Sequence, residues 1–122
     1  MKIYALVGLP GSGKTKLAKE IASNKSAVII EDLDDHVRFN DCIGRNIIVT
    51  DYWLVEEASR ASLDQRAVAM GAKKVRYIFF ENNPDKCYSN IVERRECLSH
   101  YFIKSISARY TIPEGAEVLK VE

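Results

Sequence analysis

Eight residues near the amino end constrain the fold of this 122-residue chain more than any other feature. Gly8-Leu9-Pro10-Gly11-Ser12-Gly13-Lys14-Thr15 matches G-x-x-x-x-G-K-[ST] at every fixed position, between a strand-like run at Ile3 to Leu9 and a segment in which Leu17 and Ile21 have helical spacing. Glycines here let the backbone curl so that successive N–H groups converge on a phosphate, and the following helix adds the positive end of its dipole. Gly8, Pro10, Gly11, Ser12 and Gly13 are therefore expected to cradle the phosphates of ATP. Lys14 would neutralise the β- and γ-phosphates, and the Thr15 hydroxyl would hold Mg²⁺. A dinucleotide fingerprint would need Gly or Ala three residues beyond Gly13, where this chain has Lys16.

Downstream, apolar runs at Ala27 to Ile30, Ile47 to Val49, Val75 to Phe80 and, more weakly, Val118 to Val121 add four candidate strands to the first. Several are continuously apolar, as parallel strands covered on both faces are. Helical spacing lies between them: Leu54, Ala58, Ala61 and Val68, then Cys87 and Ile91, then Leu98, Phe102 and Ile106. Gly71 supplies a helix stop and Asn83-Pro84 a helix start. The alternation predicts an α/β P-loop NTPase fold in a single domain over residues 1–122, a five-stranded parallel sheet sandwiched between helices. Its ligand site belongs at the carboxyl ends of the strands.

Composition removes other classes. A formal net charge of +1 argues against a whole-surface basic field for nucleic acid, although it leaves room for a local basic patch, and nucleic acid is expected only as a substrate held at one site. Cys42, Cys87 and Cys97 are an odd set without metal-ligand spacing, so they read as free thiols of a reducing compartment, with Cys87 and Cys97 as half-buried small hydrophobes. No apolar stretch approaches the ~20 residues of a membrane span. A cytoplasmic protein without membrane contact is expected, and homo-oligomerisation is left open.

Two groups of carboxylates fall at strand ends. Asp51 closes the run Ile47-Ile48-Val49-Thr50-Asp51, where an acid beside the phosphate strand reaches Mg²⁺ through a bound water. Its alternative use is to cap the helix that begins near Leu54. The second strand runs into Glu31-Asp32-Leu33-Asp34-Asp35-His36-Val37-Arg38. Phosphorylating a hydroxyl needs a carboxylate to orient the acceptor and take its proton, and this cluster lies at the adjacent strand's end. If a helix begins around Leu33, Asp35 and Arg38 share a face, with Asp35 as general base and Arg38 as a substrate ligand. Asp32 and Asp34 are the alternative bases.

The sequence resembles the polynucleotide kinase-like branch of the P-loop kinases. The likeness rests on Gly8 to Thr15, on Asp35-His36-Val37-Arg38 as a D-x-x-R, and on the stretch from Ile47 through Asp51 and Met70-Gly71-Ala72-Lys73-Lys74-Val75 to Ile91-Val92-Glu93-Arg94-Arg95. The resemblance implies a kinase that moves the γ-phosphate of ATP to a hydroxyl of a nucleic acid or nucleotide, such as a polynucleotide 5′-hydroxyl or a modified base in DNA. It also implies that Arg94 or Arg95 reaches over the transferring group, where a guanidinium neutralises charge on the equatorial oxygens. This chain departs from the family in two ways. Tyr52-Trp53 stands where small polar residues usually follow the metal acid, and there is no room for a long lid insertion. An open acceptor side suits a bulky acceptor. Small-metabolite kinases, an NTP-driven ATPase and a non-catalytic nucleotide-binding module are the competing readings.

Overall fold

In a computed structural model that describes residues 1–122, the chain runs β1 (Ile3–Val7), α1 (Lys14–Lys25), β2 (Val28–Ile30), α2 (His36–Asp41), β3 (Ile47–Val49), a 3-10 turn (Tyr52–Val55), α3 (Glu57–Ala69), β4 (Val75–Phe80), α4 (Pro84–Glu93), α5 (His100–Ser107) and β5 (Val118–Leu119). The strands form one parallel sheet in the order β2-β3-β1-β4-β5. β1 is central, with Ile3 in register with Ile47 on one side and Val75 on the other, and all five of its residues are buried. That is why its sequence is apolar without alternation. The expected α/β class and the five parallel strands are the observed ones.

Alternate residues of β1 serve two unequal layers. Ile3, Ala5 and Val7 join the larger core, which takes Leu63 and Ala67 from α3, Cys87 and Ile91 from α4, and Ile103 and Ile106 from α5. Tyr4 and Leu6 face the thinner layer, where α1 contributes Ala18 beside Ile48. Asn83 caps α4 by accepting from the Lys86 amide, Pro84 opens it, and Gly71 turns the chain after α3 with a left-handed backbone.

Several expectations are corrected. In α3, Ala58, Ala61 and Val68 point to solvent, and the buried stripe is Arg60, Leu63 and Ala67. A charge stands at the head of that stripe, and the apolar pattern hid it. The Arg60 guanidinium is satisfied by the carbonyls of Leu54 (2.8 Å) and Val55 (2.9 Å) and by Thr111 Oγ1 (2.9 Å), and it lies over the Phe79 ring. The last helix, expected from Leu98 to Arg109, occupies only His100–Ser107, starting where Ser99 accepts from the Phe102 amide. Cys87 is fully buried and Cys97 exposed, so neither is half-buried. No helix is long and apolar enough to cross a membrane.

Candidate active site

The loop between β1 and α1 has the conformation its glycines were expected to allow. Gly11 and Gly13 have φ of 86° and 108°, a left-handed backbone that side chains with a Cβ rarely adopt. Gly11 is constrained twice, because a Cβ there would run into the Cys87 carbonyl oxygen of α4. A Cβ on Gly8 would come within 2.6 Å of Ser12 Oγ. Gly13 is the N-cap of α1 and offers no side-chain cap, and no acid occupies the first turn. The first helical bond runs from the Leu17 amide to the Gly13 carbonyl, so the N–H groups of Lys14, Thr15 and Lys16 precede it. Ser12 Oγ is buried without a hydrogen-bond partner. An uncapped helix start, a curled glycine loop and an orphaned hydroxyl make a cradle that fits a phosphate chain.

Lys14 is only 8% exposed and donates from Nζ to the carbonyls of Gly8 and Leu9 (3.2 Å). Burial lowers its pKa to about 8, opposed by the negative charge of Asp51. α4 braces the loop from above. Asn90 Nδ2 donates to the Gly11 carbonyl (2.9 Å) and to the Glu122 carbonyl (2.8 Å), while Ile91 and the Cys87 carbonyl press on Gly11. The Cys87 thiol is pushed up to about 11, chiefly by burial, so it stays protonated at neutral pH. At the root of the loop, the Tyr110 hydroxyl reaches the carbonyls of Val7 (3.1 Å) and Phe80. Nothing in the local sequence marks Asn90 or Tyr110, because each acts on a loop about 80 or more residues away in the chain.

On the β2 side of the loop, Thr15, Lys19, Glu31, Asp32, Asp35, Arg38 and Thr50 line one cleft of about 490 Å³. α2 begins at His36 and not around Leu33, so Asp35 is its N-cap. Asp35 Oδ1 accepts from the Arg38 amide (3.1 Å), and Arg38 Nη2 reaches back to the Ile29 carbonyl (3.1 Å). The cap, and not a shared helical face, brings the pair together. Asp32 closes the preceding turn by accepting from the Asp34 amide (2.8 Å), and Asp34 does not line the cleft.

Asp51 is buried with both oxygens engaged: Oδ1 accepts from the Trp53 amide (2.8 Å) and Oδ2 from the Leu33 amide (3.0 Å). It caps the 3-10 turn and also pins the loop after β2. The other end of that peptide group's residue is held too, since Arg66 Nη1 donates to the Leu33 carbonyl (2.8 Å) while its guanidinium lies over Phe39. Tyr52 packs edge-on against Phe102, and Trp53 stays partly exposed beneath Arg109.

Arg94 and Arg95 part company. Arg94, with Glu96, lines the cavity of about 200 Å³ formed by residues 9–15, and it also borders a second cleft of about 490 Å³ between α1 and β5 that includes Lys16, Leu17 and Lys120. Arg95 is exposed, lines neither cavity and has φ of 59°. Its amide donates to the Val92 carbonyl and that of Glu96 to Ile91, the bond pair of a Schellman helix end.

Comparison with solved structures places the architecture. A gluconokinase from Sinorhizobium meliloti 1021 superposes with a TM-score of 0.72 over 98% of this chain and 82% of its own, at 12% identity, so the two share an α/β fold. No protein-family model matches the sequence. An uncharacterized protein of Acanthamoeba polyphaga mimivirus is 31% identical over 104 residues, covering 78% of this chain and 74% of that protein. This chain belongs to the same family as that viral protein.

Proposed function

We propose that this chain is an ATP-dependent kinase that phosphorylates a hydroxyl of an acceptor held between α1 and α2. The observation that carries the reading is the single cleft in which Thr15, at the end of the phosphate loop, meets Asp35 and Arg38. The base and ribose of ATP then lie in the cleft between α1 and β5, the phosphates run along residues 8–15, and the acceptor approaches from the β2 side. Lys14 leaves the loop carbonyls for the β- and γ-phosphates. Thr15 and, through water, Asp51 would hold Mg²⁺, which supplies charge neutralisation between those phosphates. The two amide bonds to Asp51 leave lone pairs on both oxygens for that water.

As the acceptor oxygen bonds to the γ-phosphorus, its proton passes to Asp35 Oδ2, the oxygen free of the cap bond, and the β–γ bridging bond breaks with its electrons on ADP. Arg38 holds the acceptor, and Arg94 neutralises charge on the transferring group. The residues between α4 and α5, 94–99, form no long lid. This supports a bulky acceptor such as a polynucleotide 5′-hydroxyl. A second reading, a small polar alcohol, is favoured by the three carboxylates of the cleft, Glu31, Asp32 and Asp35, which repel a phosphodiester backbone. The likeness to a gluconokinase lies on that side.

The test is transfer of labelled γ-phosphate to a panel of 5′-hydroxyl DNA and RNA, hydroxymethylated DNA, nucleosides, nucleoside monophosphates and sugar alcohols. Transfer to one class is expected. Asp35→Asn should lower turnover roughly 10²- to 10⁴-fold with ATP affinity retained. A loss of that size in Asp32→Asn instead moves the base to Asp32. ATP hydrolysis without transfer to any acceptor sinks the kinase reading.

A further inference from the structure

At the pole of the sheet opposite the phosphate loop, the amino ends of β1 and β4 open into a cleft of about 610 Å³ lined by Met1, Lys2, Ile3, Tyr4, Gly71, Lys73, Lys74 and Arg76. Half of these residues are cations and none is an acid. In a chain with 18 basic and 17 acidic residues, that segregation does not follow from composition. None of the four cationic side chains forms a salt bridge or donates a hydrogen bond, so no polar partner within the chain offsets their mutual repulsion. The cluster is held on rigid parts: Arg76 is in register with Tyr4 in the central strand pair, and Lys73 and Lys74 sit in the turn fixed by Gly71. Lys25, at the end of α1, joins the same pole through Asn46, which accepts from the Lys2 amide and donates to the Lys25 carbonyl.

We propose that this cleft binds the backbone of single-stranded nucleic acid, at a site separate from the one that receives ATP. The cations match a run of phosphates, and Met1, 37% exposed among them, gives an unpaired base an apolar contact for which a bare phosphate polymer has no counterpart. The site lies at the far end of β1 from Lys14, so its occupancy is independent of the kinase reading.

Fluorescence anisotropy of a short labelled oligodeoxythymidylate measures it. Binding to the wild type should weaken steeply between about 50 mM and 200 mM salt, with a log–log slope near −0.7 for each phosphate neutralised. Lys73→Glu/Lys74→Glu should weaken binding at least tenfold, and Lys73→Ala/Lys74→Ala should flatten the slope by about 1.4. Both variants should keep wild-type ATP binding and circular dichroism. Lys14→Ala should still bind the oligonucleotide, which separates this site from the loop. Four results overturn the proposal: no binding at low salt, equal binding by the charge-reversed variant, full displacement by ATP, or binding no tighter than that of inorganic polyphosphate or anionic vesicles.

Discussion

Lys14 concentrates the cost of the site in one residue. Its ammonium is held among loop carbonyls with a pKa of about 8 against 10.5 for an exposed lysine, because burial disfavours the charge. Below pH 8 the folded chain carries that buried charge in full. Between pH 8 and 10.5 the unfolded chain binds a proton that the fold does not, so stability rises with pH through this window. Lys14→Met, which keeps the shape and drops the charge, should stabilise the protein by up to about 3 kcal/mol at pH 7, an advantage that fades toward pH 10.5. Urea unfolding of both proteins across that range checks the sign as well as the size. Phosphates beside Lys14 restore its charge, so ATP binding near pH 9 should take up a proton. Calorimetry in buffers of different ionisation enthalpy measures that uptake, and none would place the ammonium away from the phosphates.

At the scale of elements, two devices hold the site. The Schellman end of α4 turns the chain so that Arg94 faces the loop while Arg95 occupies the left-handed position where glycine is at ease. Arg95→Gly should leave transfer intact and raise stability slightly, whereas Arg94→Ala should lower turnover with little change in the melting temperature. Equal losses in the two variants would mean that the helix end, and not the Arg94 guanidinium, matters. The second device is the grip on Leu33, with its amide on Asp51 and its carbonyl on Arg66. Arg66→Gln shortens that reach and should let the Glu31–Asp35 segment drift. Turnover of the acceptor should then fall by up to about a hundredfold while ATP affinity holds. A parallel loss of ATP affinity would show instead that the grip supports the whole sheet edge.

At the scale of the whole molecule, what was legible in the sequence is what depends on neighbours in the chain. The strands at Ile47–Val49 and Val75–Phe80, the Asn83 cap and the Gly11 and Gly13 conformations are local consequences of local residues. The buried face of α3 was misread because Arg60 is neutralised by carbonyls and Thr111, partners that the pattern of apolar residues does not display. Asn90, Arg66 and Tyr110 escaped for the same reason, since each reaches a segment remote in sequence. The central position of β1 carries the same remoteness into time. β1 is made before its partners, which begin at Ile47 and Val75, and before Asn90, which braces Gly11. Contacts of such sequence separation are slow to close, and a nascent chain holds its glycine loop unbraced until most of the domain has left the ribosome. Chains arrested before α4 emerges should therefore fail to be captured on immobilised ATP, and chains arrested after α5 has cleared the exit tunnel should be retained.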